Sequence, residues 1–161
     1  MKKRFWILFF AAAVVLVAGI IFYFSAQDGP TSSKTSEGLT LMILRWVHPE
    51  YDALPKAERN RLLQTYQFAV RKCAHFSEFA LLGVFLLLLF NALKIRWKAP
   101  LGWIAGTLYA CTDELHQMAV SARGPTWQDV CIDSAGVLFG VLVALALIWL
   151  RKRRKRARRN A

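Results

Sequence analysis

Four apolar stretches, each near the length needed to cross a bilayer, constrain this 161-residue chain more than any other feature. The first is unbroken from residue 5 to 24, and twenty helical residues span about 30 Å, the thickness of the hydrocarbon core. The others cover about residues 74–93, 101–120 and 128–150. Backbone polar groups in lipid must be hydrogen-bonded within their own segment, which favours helices. We therefore predict an all-α membrane protein with four transmembrane helices, forming a single domain over residues 1–161.

The segments between the apolar stretches predict the orientation of the chain. Residues 1–4 and 94–98 are short and basic, and the tail at residues 151–161 holds eight of the 22 Lys and Arg residues. Cytoplasmic loops of membrane proteins carry an excess of Lys and Arg. We expect a multi-pass protein of the cell membrane with both termini in the cytoplasm. The net charge of +12 then reflects topology, and since no nucleic-acid-binding motif accompanies it, we expect no nucleic-acid partner.

The longest polar segment follows the first span, and in this topology it lies outside. Residues 31–36 are rich in serine and threonine and predict a polar turn. Residues 35–47 have apolar side chains at helical spacing, which predicts a short amphipathic helix at the membrane interface. Residues 56–70 are amphipathic as well and are expected to continue into the second span. The prediction is therefore an outer, amphipathic helical loop between spans one and two.

Ionisable residues occur at the expected outer ends of the spans, where each costs roughly 3 kcal/mol at hydrocarbon depth. In the second span Arg71, His75 and Glu78 are spaced i, i+4 and i+7 and share one helix face. We expect a single polar layer in the outer leaflet, facing the interior of the bundle. The polar residues that the other spans add to this layer are Gln27, Asp113, Glu114, His116, Gln117, Asp129 and Asp133.

The fourth span also carries a packing signal. Asp129, Asp133, Gly136 and Gly140 recur at i, i+4, i+7 and i+11, so they lie on one face. Two glycines four residues apart allow another helix to approach closely. The glycines therefore predict a tight contact between helices.

Four ordered motifs in this chain resemble those of the VanZ-like family of small membrane proteins. They are Phe24-Ser25-Ala26-Gln27, then Arg71-Lys72-Cys73-Ala74-His75-Phe76-Ser77-Glu78-Phe79, then Asp113-Glu114-Leu115-His116-Gln117, and finally Arg123-Gly124-Pro125 with Asp129 and Asp133. The founding member of that family is linked to low-level resistance to the glycopeptide antibiotic teicoplanin. The resemblance implies a cell-envelope role more firmly than a role in antibiotic resistance. It does not indicate a reaction.

The first functional hypothesis is binding of a cell-envelope lipid or a peptidoglycan precursor in the polar layer. Arg71, Lys72 and Arg123 would contact anionic phosphate, because arginine in particular matches the geometry of phosphate oxygens. The expected partners are the lipid bilayer and this lipid or lipid-linked precursor. The candidate ligand-binding residues are Gln27, Arg71, Lys72, His75, Glu78, Glu114, His116, Gln117, Arg123, Asp129 and Asp133.

Two alternatives remain open. The protein could be an intramembrane metal-dependent hydrolase or transferase of lipid-linked groups, with a divalent metal on His75, Glu78, His116 and one of Asp113 or Glu114. No HExxH motif is present, so no catalytic role or cofactor is assigned. The other alternative is an ion-paired helical scaffold, in which His75 would pair with Asp133 and Glu78 with Arg71 or Arg123. The catalytic candidates are His75, Glu78, Asp113, Glu114, His116 and Asp133.

Overall fold

The computed structural model describes residues 2–27, 29–120 and 126–160, with the side chains of residues 29, 30, 120 and 160 left undescribed. These residues form five α-helices and no strand, which confirms the all-α prediction for the described part of the chain. A short 3-10 turn, Tyr51–Ala53, lies between the second and third helices. The helices are α1 (Lys2–Ser25), α2 (Gly29–Val47), α3 (Lys56–Ala92), α4 (Lys98–Val120) and α5 (Trp127–Asn160).

Within the described residues, three helices are long and apolar enough to cross a membrane: α1, α3 and most of α5. They make the chain a membrane protein. Helix α4 is long enough to span, but the polar residues of its last two turns, Asp113 to Gln117, lower its apolar character. The fourth span and the outer position of the first loop therefore stay predictions.

Helix α3 is the centre of the bundle, because it packs against α1, α2, α4 and α5. Its apolar part contributes Phe79 and Leu87, which are fully buried. They join Ile21 of α1 and Val137 of α5 in one hydrophobic core. As predicted, the amphipathic residues after Pro55 run into the second span without a break, so that α3 reaches 37 residues. At 1.5 Å per residue it is about 55 Å long, well beyond the hydrocarbon core.

The contact between α3 and α5 is tight, and glycines produce it. A Cβ atom added at Gly140 would lie 1.8 Å from the backbone oxygen of Ala80, and one at Gly136 would lie 2.4 Å from that of Phe76. From the other side, a Cβ at Gly83 of α3 would lie 2.3 Å from the Val137 oxygen. The predicted tight contact at Gly136 and Gly140 is confirmed, and side chains larger than hydrogen have no room there.

The predicted polar turn at residues 31–36 is wrong, because α2 already begins at Gly29. The hydroxyl groups in this segment donate to carbonyl groups one turn earlier in the same helix, as Thr35 Oγ1 does to the Thr31 oxygen at 3.0 Å. Thr40 Oγ1 bonds the Ser36 oxygen in the same way at 2.8 Å. Side chains satisfied in this way are compatible with a helix interior. A proline in the first turn, Pro30, also suits a helix start.

Helix α2 lies against the amino-terminal part of α3. Gln67 Nε2 of α3 donates to the Ser33 backbone oxygen at 3.2 Å, and the His48 ring bonds the Tyr66 hydroxyl at 3.1 Å. The predicted amphipathic helix at residues 35–47 is thus present as part of a longer one. At the other end of the chain, α5 extends through the basic tail to Asn160.

Candidate functional site

Polar side chains from four helices meet at one end of the bundle. This end contains the last turn of α1, the last turns of α4, the first turns of α5 and the middle of α3. Three polar residues here are almost fully buried: Ser25, Asp113 and Asp133, exposed by only 2, 3 and 4%. The predicted convergence of polar residues at one level of the bundle is therefore present in the structure.

The most enclosed part of this site is a hydrogen-bonded triad between α1 and α4. Ser25 Oγ donates to Asp113 Oδ2 at 2.7 Å. Gln117 Nε2 donates to both Ser25 Oγ and Asp113 Oδ2, each at 3.1 Å. Asp113 and Gln117 are one helical turn apart and share a face of α4, which lets both reach Ser25. One oxygen of the buried carboxylate is thereby fixed by two donors.

Beside this triad, α3 and α5 bring a histidine and a second aspartate together. His75 Nδ1 lies 3.9 Å from Asp133 Oδ1, so the predicted pair is present. Asp113 is part of the same group: one potential ligand atom from each of His75, Asp113 and Asp133 lies within 4.8 Å of the other two. Three different helices therefore place one nitrogen and two carboxylate oxygens close enough for a small cation to contact.

The edge of the site is formed by a second layer of charged contacts. Lys72 Nζ pairs with Asp129 of the first turn of α5, and both side chains are partly buried. Glu114 accepts a hydrogen bond from the backbone N–H of Thr126 at 2.8 Å. This bond ties the end of α4 to the residue just before α5. An acidic side chain at the start of a helix also interacts favourably with the helix dipole, as Asp129 does here.

Between these contacts lies a cavity of about 330 Å³. Its position, between the middle of α3 and the facing ends of α4 and α5, agrees with the predicted polar layer. Most of the ligand-binding candidates from α3, α4 and α5 line it, together with apolar side chains. The lining residues are Phe68, Arg71, Lys72, His75, Glu114, Gln117, Thr126, Gln128, Asp129, Ile132 and Asp133.

Three predicted site residues are not part of this arrangement, and a fourth cannot be placed. Gln27 accepts a hydrogen bond from Thr35 Oγ1 at 3.2 Å, at the exposed start of α2. The His116 ring stacks on Phe22 of α1, with ring centres 4.4 Å apart. Glu78 lies one turn beyond His75 on α3 and does not line the cavity. Arg123 lies outside the described residues.

Of the hypothesised metal ligands, the structure brings His75 and Asp113 together. Among the described residues, the one set of three with suitable spacing adds Asp133 to them and contains neither Glu78 nor His116. Asp133 is among the catalytic candidates. The distance between Asp113 and Asp133 depends on how α4 and α5 are rotated about their axes. Helical spacing within one segment does not specify that rotation.

Ser25 is the site residue that the sequence reasoning missed. The prediction for α1 is Gln27, two residues later, which has the larger polar side chain. The sequence of α1 does not mark its inward face, because residues 5–24 are apolar throughout. The structure identifies that face, where the buried residues Val17, Ile21 and Ser25 recur at intervals of four. This spacing puts Ser25 on the inward face and Gln27 off it.

Comparison with known proteins agrees with the resemblance seen in the motifs. The VanZ/LLP1 family profile matches residues 9–150 of this chain. The chain belongs to the VanZ/LLP1 family. The match includes all four helices that build the site and ends just before the basic tail of α5. Searches of curated proteins and of solved structures found no match. The VanZ/LLP1 match shows the family and does not indicate a ligand or a reaction.

Proposed function

We propose that this VanZ/LLP1 protein binds the anionic headgroup of a cell-envelope lipid or lipid-linked peptidoglycan precursor in the cavity between α3, α4 and α5. The observation that carries the proposal is the state of Arg71. Its side chain is partly buried and lines the cavity, and it makes no hydrogen bond or ion pair with another described residue. A guanidinium group offers five donors in a planar fork, which suits phosphate oxygens.

The acidic residues that line the cavity contact groups other than Arg71. Asp129 pairs with Lys72, and Glu114 accepts the Thr126 N–H. Asp133 faces His75. The Arg71 guanidinium therefore has no carboxylate partner among the described residues, and its donors are available to an anionic ligand.

The cavity also suits a molecule with both polar and apolar parts. Phe68 and Ile132 add apolar surface to a lining that is otherwise mostly polar. The Lys72 ammonium lies 5.1 Å from the centre of the Phe68 ring, a favourable cation–π distance. In the predicted topology this end of the bundle faces outward, at the level of lipid headgroups. A phosphorylated lipid would then reach Arg71 while its chains stay in the membrane.

The direct test is binding of a polyprenyl phosphate to the purified protein in detergent, measured by native mass spectrometry and by titration. A charge-assisted hydrogen bond contributes about 1.5–3 kcal/mol, so Arg71→Ala should weaken binding about ten- to hundredfold. Arg61→Ala is the matched control, because Arg61 is exposed on the same helix. Unchanged affinity of a well-folded Arg71→Ala protein would refute the proposal and favour an ion-paired scaffold.

A biological test follows from the link between the founding family member and teicoplanin. A protein that occupies a lipid-linked precursor would limit the access of a lipoglycopeptide to its target. Expression of the chain in a susceptible host should then raise the teicoplanin concentration needed to stop growth, and Arg71→Ala should abolish that rise at equal protein level. The absence of any rise would remove the resistance role while leaving the binding experiment to decide about the lipid.

A further inference from the structure

We propose that His75, Asp113 and Asp133 bind a divalent cation of the Mn²⁺ or Zn²⁺ class at the inner end of the polar site. The three residues come from α3, α4 and α5, and one potential ligand atom of each lies within 4.8 Å of the other two. The site does not include Arg71, and the inference does not depend on lipid binding. It concerns a second, inorganic ligand.

The first support is the state of two carboxylate oxygens. Oδ1 of Asp113 and Oδ1 of Asp133 are buried and have no hydrogen-bond donor in the described part of the chain. Both side chains are more than nine-tenths buried. A buried oxygen without a donor is costly, and native proteins rarely leave one without a water, ion or ligand. Two such oxygens in one group of potential ligands point to a bound cation.

The second support is the way Asp113 is held. Ser25 and Gln117 both donate to its Oδ2, which fixes the orientation of the carboxylate and leaves Oδ1 without a donor. Metal-binding carboxylates are usually held by hydrogen bonds to their other oxygen in this manner. Ser25 belongs to α1, so all four helices that line the bundle take part in the arrangement.

The third support is charge. Two aspartates are buried together at a depth where an uncompensated negative charge is expensive. Glu78, partly buried on the same stretch of α3, adds a third acidic group nearby. Two basic side chains line the neighbouring cavity. Lys72 is paired with Asp129, and Arg71 makes no ion pair with Asp113 or Asp133. A divalent cation compensates two carboxylates at once and also uses the imidazole nitrogen.

The spacing limits which ion fits. Metal–ligand bonds of about 2.1 Å give neighbouring ligand atoms separated by roughly 3.0–3.4 Å, or about 4.2 Å when they are opposite. The 3.9 Å between His75 Nδ1 and Asp133 Oδ1 lies between these two values, and a pair at the 4.8 Å limit would have to approach by about 0.6 Å to take opposite positions. One imidazole and two carboxylates favour Mn²⁺ or Zn²⁺ over Ca²⁺, which takes oxygen ligands.

Titration of the full-length protein with Mn²⁺ in detergent, without added lipid, tests the inference. Free Mn²⁺ gives a six-line electron paramagnetic resonance signal that is lost on binding, so stoichiometry and Kd are read directly, and Zn²⁺ is added as a competitor. We expect one saturable site per chain that Zn²⁺ displaces. Asp113→Asn and Asp133→Asn should each weaken binding at least tenfold, and Ser25→Ala about tenfold.

Asp52→Asn is the matched control, because Asp52 is exposed and far along the chain in the turn after α2. It should bind Mn²⁺ as the wild type does. Absence of a saturable site in the wild-type protein overturns the inference without any variant, and so does full binding by Asp113→Asn and Asp133→Asn. Since no lipid is present, a negative result here leaves lipid binding at Arg71 untouched.

Discussion

Replacement of Gly140 by alanine tests whether the α3–α5 contact controls the stability of the bundle. The added Cβ would lie 1.8 Å from the Ala80 oxygen, 2.7 Å from the Ala80 carbonyl carbon and 3.0 Å from the Val84 nitrogen. All three are backbone atoms, so no side chain can rotate away. Because Cβ contacts essentially never come under 3.0 Å, the two helices must separate locally by at least about 1.2 Å.

Overpacking of this kind typically costs about 1–3 kcal/mol. The loss should reach the upper part of that range, since separation of α3 from α5 also loosens Val137, Val141 and the rest of the fully buried core. The measurement is the midpoint of thermal unfolding of the detergent-solubilised protein, followed by tryptophan fluorescence and by the monodisperse fraction on size exclusion. We expect a midpoint several degrees below that of the wild type.

Gly19→Ala is the control for this experiment. Gly19 lies within α1, and a Cβ added there meets no atom within 4 Å. Alanine also has a helix propensity about 1 kcal/mol better than glycine in an exposed helix. The control should unfold at or slightly above the wild-type midpoint. A Gly140→Ala protein as stable as this control would contradict the claim that glycines set the helix separation.

Two further substitutions test hydrogen bonds between α1 and α4. Ser25→Ala removes the short bond to Asp113 and leaves a buried carboxylate oxygen with one donor fewer, so the free energy of unfolding should fall by about 1–3 kcal/mol in chemical denaturation. Tyr109→Phe removes the 2.7 Å bond from its hydroxyl group to the Ala18 oxygen, which joins α4 to α1. Its cost should be about 0.5–1.5 kcal/mol by the same measurement, because the Ala18 oxygen can still accept within its helix.

The control for the first of these is Ser77→Ala, since the Ser77 hydroxyl group is exposed and bonds only its own helix at Cys73. That change should alter the free energy of unfolding by less than about 0.5 kcal/mol. If Ser25→Ala were equally mild, the Ser25 hydrogen bonds would not hold Asp113 in place.

Helical periodicity predicted most of the bundle, because burial against neighbouring helices follows the same spacing. Helical periodicity predicted that Arg71, His75 and Asp133 lie at one level of the bundle. It also predicted the close approach of α5 to another helix at Gly136. It failed at residues 31–36, where serine and threonine are typical of turns but also accommodate a helix by bonding carbonyl groups one turn earlier. Composition alone does not distinguish these two outcomes.

The composition of the site was harder to predict than its level in the bundle. Sequence spacing relates residues within one helix, such as His75 and Glu78. It therefore favours a metal site that includes both of these α3 residues together with His116 of α4. The structure instead joins His75 to residues of two other helices, because the rotation of α4 turns Asp113 inward while His116 stacks on Phe22. Rotation of that kind arises from side-chain packing across helices, as at Gly106, where an added Cβ would meet Val137 at 2.5 Å.

Helix α5 continues from the site to the basic tail without interruption, over 34 residues from Trp127 to Asn160. At 1.5 Å per residue it is about 50 Å long, and no proline or glycine follows Gly140 to act as a hinge. We expect a partner that tilts the tail to move the helix as one rod up to its tight contact with α3 at Gly136 and Gly140. Force applied to the tail would then reach the packing next to Asp133 through a single helix.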